Sequence, residues 1–249
     1  MTWINGPWLA FDSETTGMDV ASDRIVTATV ITYRPGQDPA VRSWLADPGV
    51  PVPAEATAIH GVSDERARAE GKPAADVVAD IDATIAATWG PDVPLFGMNV
   101  GFDLSLLDAE LRRHHQRPLV VAGPVVDSRI LDQHCDRYRR GKRTLTDLCA
   151  LYGVELGEAA HSAEADALAA ARVIWMITRR YPELAAMSLP ELHDAQLGWH
   201  AEHQRSFAAY LRERKAPGIG DPAARADLIA RAGDLDAHAD EWPIRRGVS

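Results

Sequence analysis

The stretch Trp8-Leu9-Ala10-Phe11-Asp12-Ser13-Glu14-Thr15-Thr16-Gly17 constrains this chain more than any other. An apolar run of strand length ends in two carboxylates one residue apart, after which two threonines and a glycine turn the chain. Side chains at i and i+2 of a strand share a face, so Asp12 and Glu14 point into the same space. Two anions held that close repel unless a cation lies between them or one carries a proton. A sheet that presents paired acid at its edge therefore predicts a divalent-cation site. Oxygen donors favour Mg²⁺ or Mn²⁺ over zinc, and Cys135 and Cys149 lie too far apart in sequence for a zinc knuckle. An isolated D-x-E is most often an ordinary turn after a strand, so the motif needs company before it carries a function.

The surrounding sequence supplies the sheet. Arg24 to Tyr33 is rich in β-branched residues and Val41 to Leu45 follows a Pro-Gly turn, which with the first strand predicts a three-stranded antiparallel meander. A loop of Pro, Val and Ala leads into Ile59-His60-Gly61-Val62, where Ser63 caps a short helix. Val77, Ile81, Ile85 and Trp89 form a helical stripe over residues 74–89. A buried strand, Val93 to Asn99, precedes a helix from about Phe102 to His115. The apolar run Leu119 to Val126 ends at Asp127 and passes into a second helix. Thr144 opens a third, stopped by Gly153, and an Ala-rich helix over about 162–181 offers Leu168, Val173, Ile174, Trp175 and Ile177 to the core. Strands first, then strand and helix alternating, predicts an α/β layer with a mixed sheet.

From about residue 183 there is no strand signal. Ser188-Leu189-Pro190-Glu191 reads as a capping box, and Leu192, Ala195, Trp199, Phe207 and Tyr210 mark one face of a long helix. Asp221-Pro222 starts another helix, expected to end near Gly233. The organisation expected is an α/β domain over residues 1–182 and a helical C-terminal extension over 183–249, packed on that domain, whose sequence shows no chemistry of its own.

A chain of 249 residues with 46% apolar and 25% charged residues is composed like a soluble globular protein. No apolar run approaches the roughly 20 residues of a membrane span, and the N-terminus lacks a basic region followed by a hydrophobic segment. The expectation is a cytoplasmic protein with reduced thiols and no membrane partner. A net charge of −10 argues against a protein that coats duplex DNA. It leaves open an enzyme that grips a few nucleotides through metal ions and a local basic patch. Arg137, Arg139, Arg140, Lys142 and Arg143 form such a patch; a solvated loop accounts for them equally well.

Two further motifs stand behind Asp12 and Glu14. Asn99-Val100-Gly101-Phe102-Asp103-Leu104-Ser105-Leu106-Leu107 places Asp103 at the start of a helix that follows a buried strand. His161-Ser162-Ala163-Glu164-Ala165-Asp166 places an imidazole and a carboxylate five residues apart at another helix start. D-x-E-T-T-G, N-x-x-F-D-x-x-x-L and H-x-x-x-x-D, in that order, resemble the DEDDh branch of the DnaQ-like 3′→5′ exonucleases, of the proofreading epsilon-subunit type. The resemblance covers residues 7–181 and includes Ile59-His60-Gly61-Val62, similar to a short segment this family carries between its first two motifs.

The resemblance implies a ribonuclease H-like mixed sheet with flanking helices. It also implies two Mg²⁺ or Mn²⁺ ions: Asp12, Glu14 and Asp166 would ligate the first, Asp12 would bridge to the second, and Asp103 would complete the site. His161 would be the general base, because an imidazole titrates near neutrality. Thr15, Thr16, Gly17 and Met18 would hold the sugar of the terminal nucleotide, with Met18 or His60 against its base; Asn99 and Phe102 would orient the second motif and meet the substrate. The expected partners are single-stranded or frayed 3′ ends of DNA, with RNA as the alternative. A DNA polymerase or another protein is the candidate partner of the C-terminal extension. Oligomeric state is not legible.

Residues five apart on an ideal helix differ by about 140° in direction. His161 and Asp166 would not share a face if both were helical, so His161 is expected on the loop before the helix. Two competing readings remain at this level. Asp12-Ser13-Glu14-Thr15-Thr16 superficially resembles the D-x-D-x-T of haloacid-dehalogenase-like phosphatases, in which Asp103, His161 and Asp166 have no role. A catalytically silent module that binds nucleic-acid ends would keep the fold; loss of an acid would mark it, and all four acids are present.

Overall fold

The computed structural model describes residues 2–155 and 162–246. β1 (Trp8–Thr15), β2 (Ile25–Tyr33) and β3 (Ala40–Asp47) pair antiparallel in sequence order, the meander that the sequence predicts. The short helices α1 (Ala54–His60) and α2 (Asp64–Glu70) follow, the second capped by Ser63, whose side chain accepts from the Arg66 N–H. β4 (Lys72–Pro73) then adds to β3, and α3 (Ala74–Ala86) leads to β5 (Leu95–Gly97), parallel to β1. α4 (Gly101–His115) leads to β6 (Val125–Asp127), parallel to β5. Among the described residues the sheet has six strands in the order β4-β3-β2-β1-β5-β6. β1 thus lies where an antiparallel neighbour meets a parallel one, and the C-terminal ends of β1, β5 and β6 share one edge.

Two expected strands are shorter than the apolar runs that suggest them. Only Leu95–Gly97 of residues 93–99 and only Val125–Asp127 of the run from Leu119 form strands of the sheet. Pro94 and Pro124 bring no N–H to a ladder. Their carbonyls instead accept from the Leu9 and Leu95 N–H groups, and Val120 stands 68% exposed.

Alternation along β1 divides the core. Leu9 and Phe11 belong to a cluster with Val77 and Ile81 of α3 and Leu104 and Leu107 of α4. Ala10, on the other face, joins Ala167, Ile174 and Ile177 of α7 (Ala163–Arg180), with Leu131 of α5 (Ser128–Cys135) and Leu148 of α6 (Leu145–Tyr152). Fully buried side chains such as Phe11 and Ile81 on one face and Ile174 and Ile177 on the other each contribute about 1.5–3 kcal/mol, which holds β1 from both sides. Trp175 departs from the expected core stripe. One residue is about 100° of helix, so with Ile174 inward Trp175 turns out, 41% exposed under the Arg179 guanidinium 4.7 Å from its ring.

The extension forms α8 (Pro182–Ala186), α9 (Leu189–Tyr210) and α10 (Pro222–Ala237). Ser188 and Glu191 make the reciprocal capping box at the start of α9. α10 runs through Gly233, since one glycine costs a helix only about 1 kcal/mol and Ala232 beside it is buried near Ala208 and Leu211. On α9 the fully buried residues are Leu192, Gln196 and Ala208, and Tyr210 is exposed.

Gln196 and His193 show what α9 does. Gln196 Oε1 accepts from the Asp127 N–H at 2.8 Å and its Nε2 donates to the Val125 carbonyl at 2.9 Å, while His193 Nδ1 accepts from the Val125 N–H at 3.1 Å. The outer edge of β6 is thereby satisfied by side chains of the extension instead of a further strand. No helix of the described residues is long and apolar enough to cross a membrane.

Candidate active site

The C-terminal end of β1 is the centre of the site. Asp12 and Glu14 lie on the face that packs against α7, the face of Ala10, and Asp166 lies in the first turn of α7. One carboxylate oxygen from each of Asp12, Glu14 and Asp166 falls within 4.8 Å of the others. The position of Asp166 follows from where α7 begins. Ser162 is extended and its side chain accepts from the Ala165 N–H, so the Asp166 N–H closes the first turn onto the Ser162 carbonyl.

Such a cluster is electrostatically costly. Burial and then the charges of Asp103, Asp166 and Glu14 raise the Asp12 carboxyl well above the usual carboxylate range. Burial and Asp166 push Glu14 up to about 7. Converging hard oxygens that resist ionisation together are the donor set a divalent cation relieves.

Asp103 enters from the opposite side of the sheet. Ser13 faces the α4 layer, as Leu9 and Phe11 do, and donates both its N–H, at 3.0 Å, and its hydroxyl, at 2.6 Å, to Asp103 Oδ1. Burial pushes Asp103 up to about 7, with the two Ser13 donations opposing the rise. Asp103 therefore neighbours Asp12 but stands apart from the group of three that can converge on one ion.

The loop positions have defined work. Between Glu14 and Thr15 the β1–β2 register shifts, an irregularity that re-aims the strand end. The Thr15 hydroxyl donates to the Gly17 carbonyl at 2.6 Å. The buried Thr16 hydroxyl donates to Asp23 Oδ1 at 2.7 Å and accepts from the Arg24 N–H. Both hydroxyls are thus spent on the turn. A Cβ at Gly17 would stand 2.5 Å from the Asp23 carboxylate and would push it off its contacts with the turn. Met18 is 76% exposed beside this turn. His60 ends α1; burial pulls it below the usual histidine range while the Thr15 backbone opposes, which puts His60 at the end of β1. Asn99 adopts a left-handed φ of 57° and its side-chain oxygen accepts from Arg129, while Phe102 is half-buried against the core. His161 lies outside the described residues.

Three residues that shape the site escape a motif reading. Ser13 is the variable position of D-x-E, and its only signal is a hydroxyl on the strand face opposite the acids. Asp23 organises the Thr-Thr-Gly turn from the approach to the next strand. Asp127, 1% exposed, caps α5 and also accepts from the N–H groups of Asn99 and Val100, so it pins the turn that delivers Asp103. An acid that ends an apolar run just before a helix is the signal for it.

The basic patch is largely consumed by structure. Arg139 and Arg143 converge on buried Asp132, which Tyr152 also donates to, and Arg137 pairs with Glu202. Among the described residues, Lys142 and Arg140 of the five have no carboxylate within ion-pair distance.

Comparison with known proteins agrees with this geometry. The RNase T family model, described as Exonuclease, matches residues 9–174. The chain is 31% identical over 160 residues to the DNA polymerase III subunit epsilon of Treponema pallidum, covering 64% of this chain and 70% of that protein. Among solved structures it is similar to Exonuclease I, with a TM-score of 0.60 at 23% identity over 73% of this chain. It is also similar to E. coli Exonuclease I in complex with a dT13 oligonucleotide, with a TM-score of 0.58 at 22% identity over 72% of this chain. In both cases the chain spans 42% of the Exonuclease I length, and the likeness is one of fold.

Proposed function

Since this chain belongs to the DnaQ-like family of 3′→5′ exonucleases, we propose that it removes nucleoside monophosphates one at a time from the 3′ end of single-stranded DNA. The observation that carries this reading is the convergence of Asp12, Glu14 and Asp166 within 4.8 Å at the end of β1. In this proposal Asp12, Glu14 and Asp166, with Asp103, would hold a pair of Mg²⁺ or Mn²⁺ ions. Bound there, the ions would supply charge stabilisation to the attacking and leaving oxygens of the phosphodiester. His161 takes the proton of the attacking water, and the Thr15 to Met18 turn, His60, Asn99 and Phe102 hold the terminal nucleotide.

DNA is preferred as substrate because the relatives are a DNA polymerase III subunit and an exonuclease bound to oligodeoxythymidine. A DNA polymerase as protein partner and a cytoplasmic setting belong to the same proposal, the first supported by the epsilon relative and the second by the nucleic-acid substrate. The division into an exonuclease domain over 1–182 and an extension over 183–249 is likewise part of it, and the family match, which ends at residue 174, supports it.

The test is digestion of a 5′-labelled single-stranded DNA and a matched RNA with Mg²⁺ or Mn²⁺, with EDTA and Asp12→Ala as controls. A ladder shortening from the 3′ end, absent in both controls and faster on DNA, is the expected result. No ladder from folded, metal-loaded protein would leave a module that binds ends without cutting them.

A further inference from the structure

A cleft of about 720 Å³ opens between the exonuclease fold and the C-terminal helices. Its floor is the second motif itself, Asn99, Gly101 and Phe102, and one end reaches Met18 beyond the Thr-Thr-Gly turn. Its far wall is built by α9, α10 and the segment after α10, so the extension is what turns an open edge into a cleft.

The charge of the lining is unlike that of the chain. The molecule as a whole carries −10, yet Arg129, Lys142, Arg143, Arg231 and Arg245 all border this space. The acids that border it are engaged: Asp127 caps α5, Asp234 pairs with Arg245, and Glu241 lies 2.9 Å from His238. Arg143 is spent on Asp132. That leaves Arg129, Lys142 and Arg231 with no carboxylate within ion-pair distance among the described residues. Arg129 donates to the Asn99 amide oxygen, and Arg231 lies over the Phe207 ring at 5.6 Å. Phe102 and Phe207 add aromatic faces. Two donors in the wall, Trp242 Nε1 and Arg245 Nε, are buried with no hydrogen-bond partner among the described residues.

Cations without an ion-pair partner among the described residues, interleaved with aromatic rings in a cleft floored by the segment that leads into Asp103, match one ligand chemistry: a flexible strand with a phosphate and a stackable base at every repeat. We propose that this cleft holds the nucleotides on the 5′ side of the scissile phosphate, with Arg129, Lys142 and Arg231 on their backbone. The inference rests on the exonuclease reading for its direction, since the 3′ end must lie at Asp12. It assigns the C-terminal extension a role in gripping the strand, separate from any protein partner.

The test uses the full chain with Lys142→Gln and Arg231→Gln combined, two exposed positions away from the acids. A control for surface charge combines Arg34→Gln, just after β2, with Lys72→Gln in β4, both exposed and neither bordering the cleft. Binding is read as anisotropy of a 5′-fluorescent dT16 in Ca²⁺, and turnover on the p-nitrophenyl ester of thymidine 5′-monophosphate, which has no 5′ nucleotides. The expected result is binding of dT16 weakened about tenfold and a log–log salt slope shallower by about 1.4, the change for two fewer phosphates neutralised on a single strand. Ester turnover and the control variant should match wild type. Unchanged dT16 binding and slope would overturn the proposal, as would an equal loss in the control. If wild type cleaves neither ester nor DNA, the exonuclease reading fails, and the anisotropy comparison still decides whether the cleft binds the strand.

Discussion

Ser13 gives its backbone N–H and its hydroxyl to the same oxygen of Asp103, ninety residues further along the chain. The contact joins the two faces of β1. Asp12 and Glu14 look toward α7 while the residue between them clamps the acid delivered by α4. One strand end thereby sets the spacing of acids drawn from three separate elements.

Ser13→Ala removes the hydroxyl and leaves the N–H. A hydrogen bond to a charged group is worth about 1.5–3 kcal/mol, so Asp103 loses part of its restraint and its carboxyl, already pushed up to about 7, rises further. The expected outcome is a roughly tenfold or greater fall in kcat, at about 1.4 kcal/mol per decade, with the acidic limb of the pH–rate profile moved upward. Single-turnover digestion from about pH 6 to 9, on either side of that value, reads both effects. An unchanged limb with a lowered rate would mean that Ser13 acts only on local packing.

The clustered acids also make the metal-free protein sensitive to pH. Glu14 and Asp103 sit near 7 in the folded chain, well above the roughly 4 of an unfolded carboxylate. Between these values the folded state holds protons that the unfolded state has released, so stability falls as pH rises through that window. In EDTA the melting temperature should be lower at about pH 8 than at about pH 5.5, and Mn²⁺ should raise it more at the higher pH. Asp12→Asn should raise the metal-free melting temperature at about pH 8, by about 2–4 °C per kcal/mol of repulsion relieved, and abolish most of the Mn²⁺ increment. A Mn²⁺ increment equal in Asp12→Asn and wild type would place the ion elsewhere.

His161 separates chemistry from metal binding. If it is the general base proposed above, it contributes to rate alone, so His161→Ala should lower kcat by about 10²–10⁴-fold. The Mn²⁺-induced rise in melting temperature should be the same as in wild type. A lost Mn²⁺ response would make His161 a ligand instead.

How much of the fold and site is legible in the sequence depends on whether a residue's signal is local. The meander, α4 and the helices that begin at Thr144, Ser162 and Ser188 follow from β-branched runs and caps, each of which acts within a few residues. Asp12, Glu14 and Asp166 converge because strand alternation and one cap fix their directions. Trp175 defeats the apolar stripe because it stands one residue off the inward face, and a cation over its ring makes the outward position tolerable. Ser13 carries only a faint mark as a site residue because its partner Asp103 is ninety residues away, and Asp23 carries none because it acts across a turn on a threonine. The basic patch reads as a surface feature, but Asp132 draws two of its arginines inward, and no pattern in the loop itself announces that.

Gln196 tests whether the C-terminal extension is part of the fold that makes the site. Its amide is fully buried and completes the edge of β6, accepting from Asp127 and donating to Val125. Asp127 in turn holds the N–H groups of Asn99 and Val100, so the chain of contacts runs from α9 to the helix that carries Asp103. Gln196→Ala leaves a buried donor and a buried acceptor unpaired, at about 1–3 kcal/mol each, and should lower the melting temperature by about 4–24 °C. Gln196→Glu keeps the acceptor for the Asp127 N–H but loses the donor to Val125, so a real edge contact predicts a penalty there too. Differential scanning calorimetry of the two variants, with kcat measured below their transitions, reads the coupling. If both melt like wild type, α9 rests on the sheet without completing it, and the extension is an appendage after all.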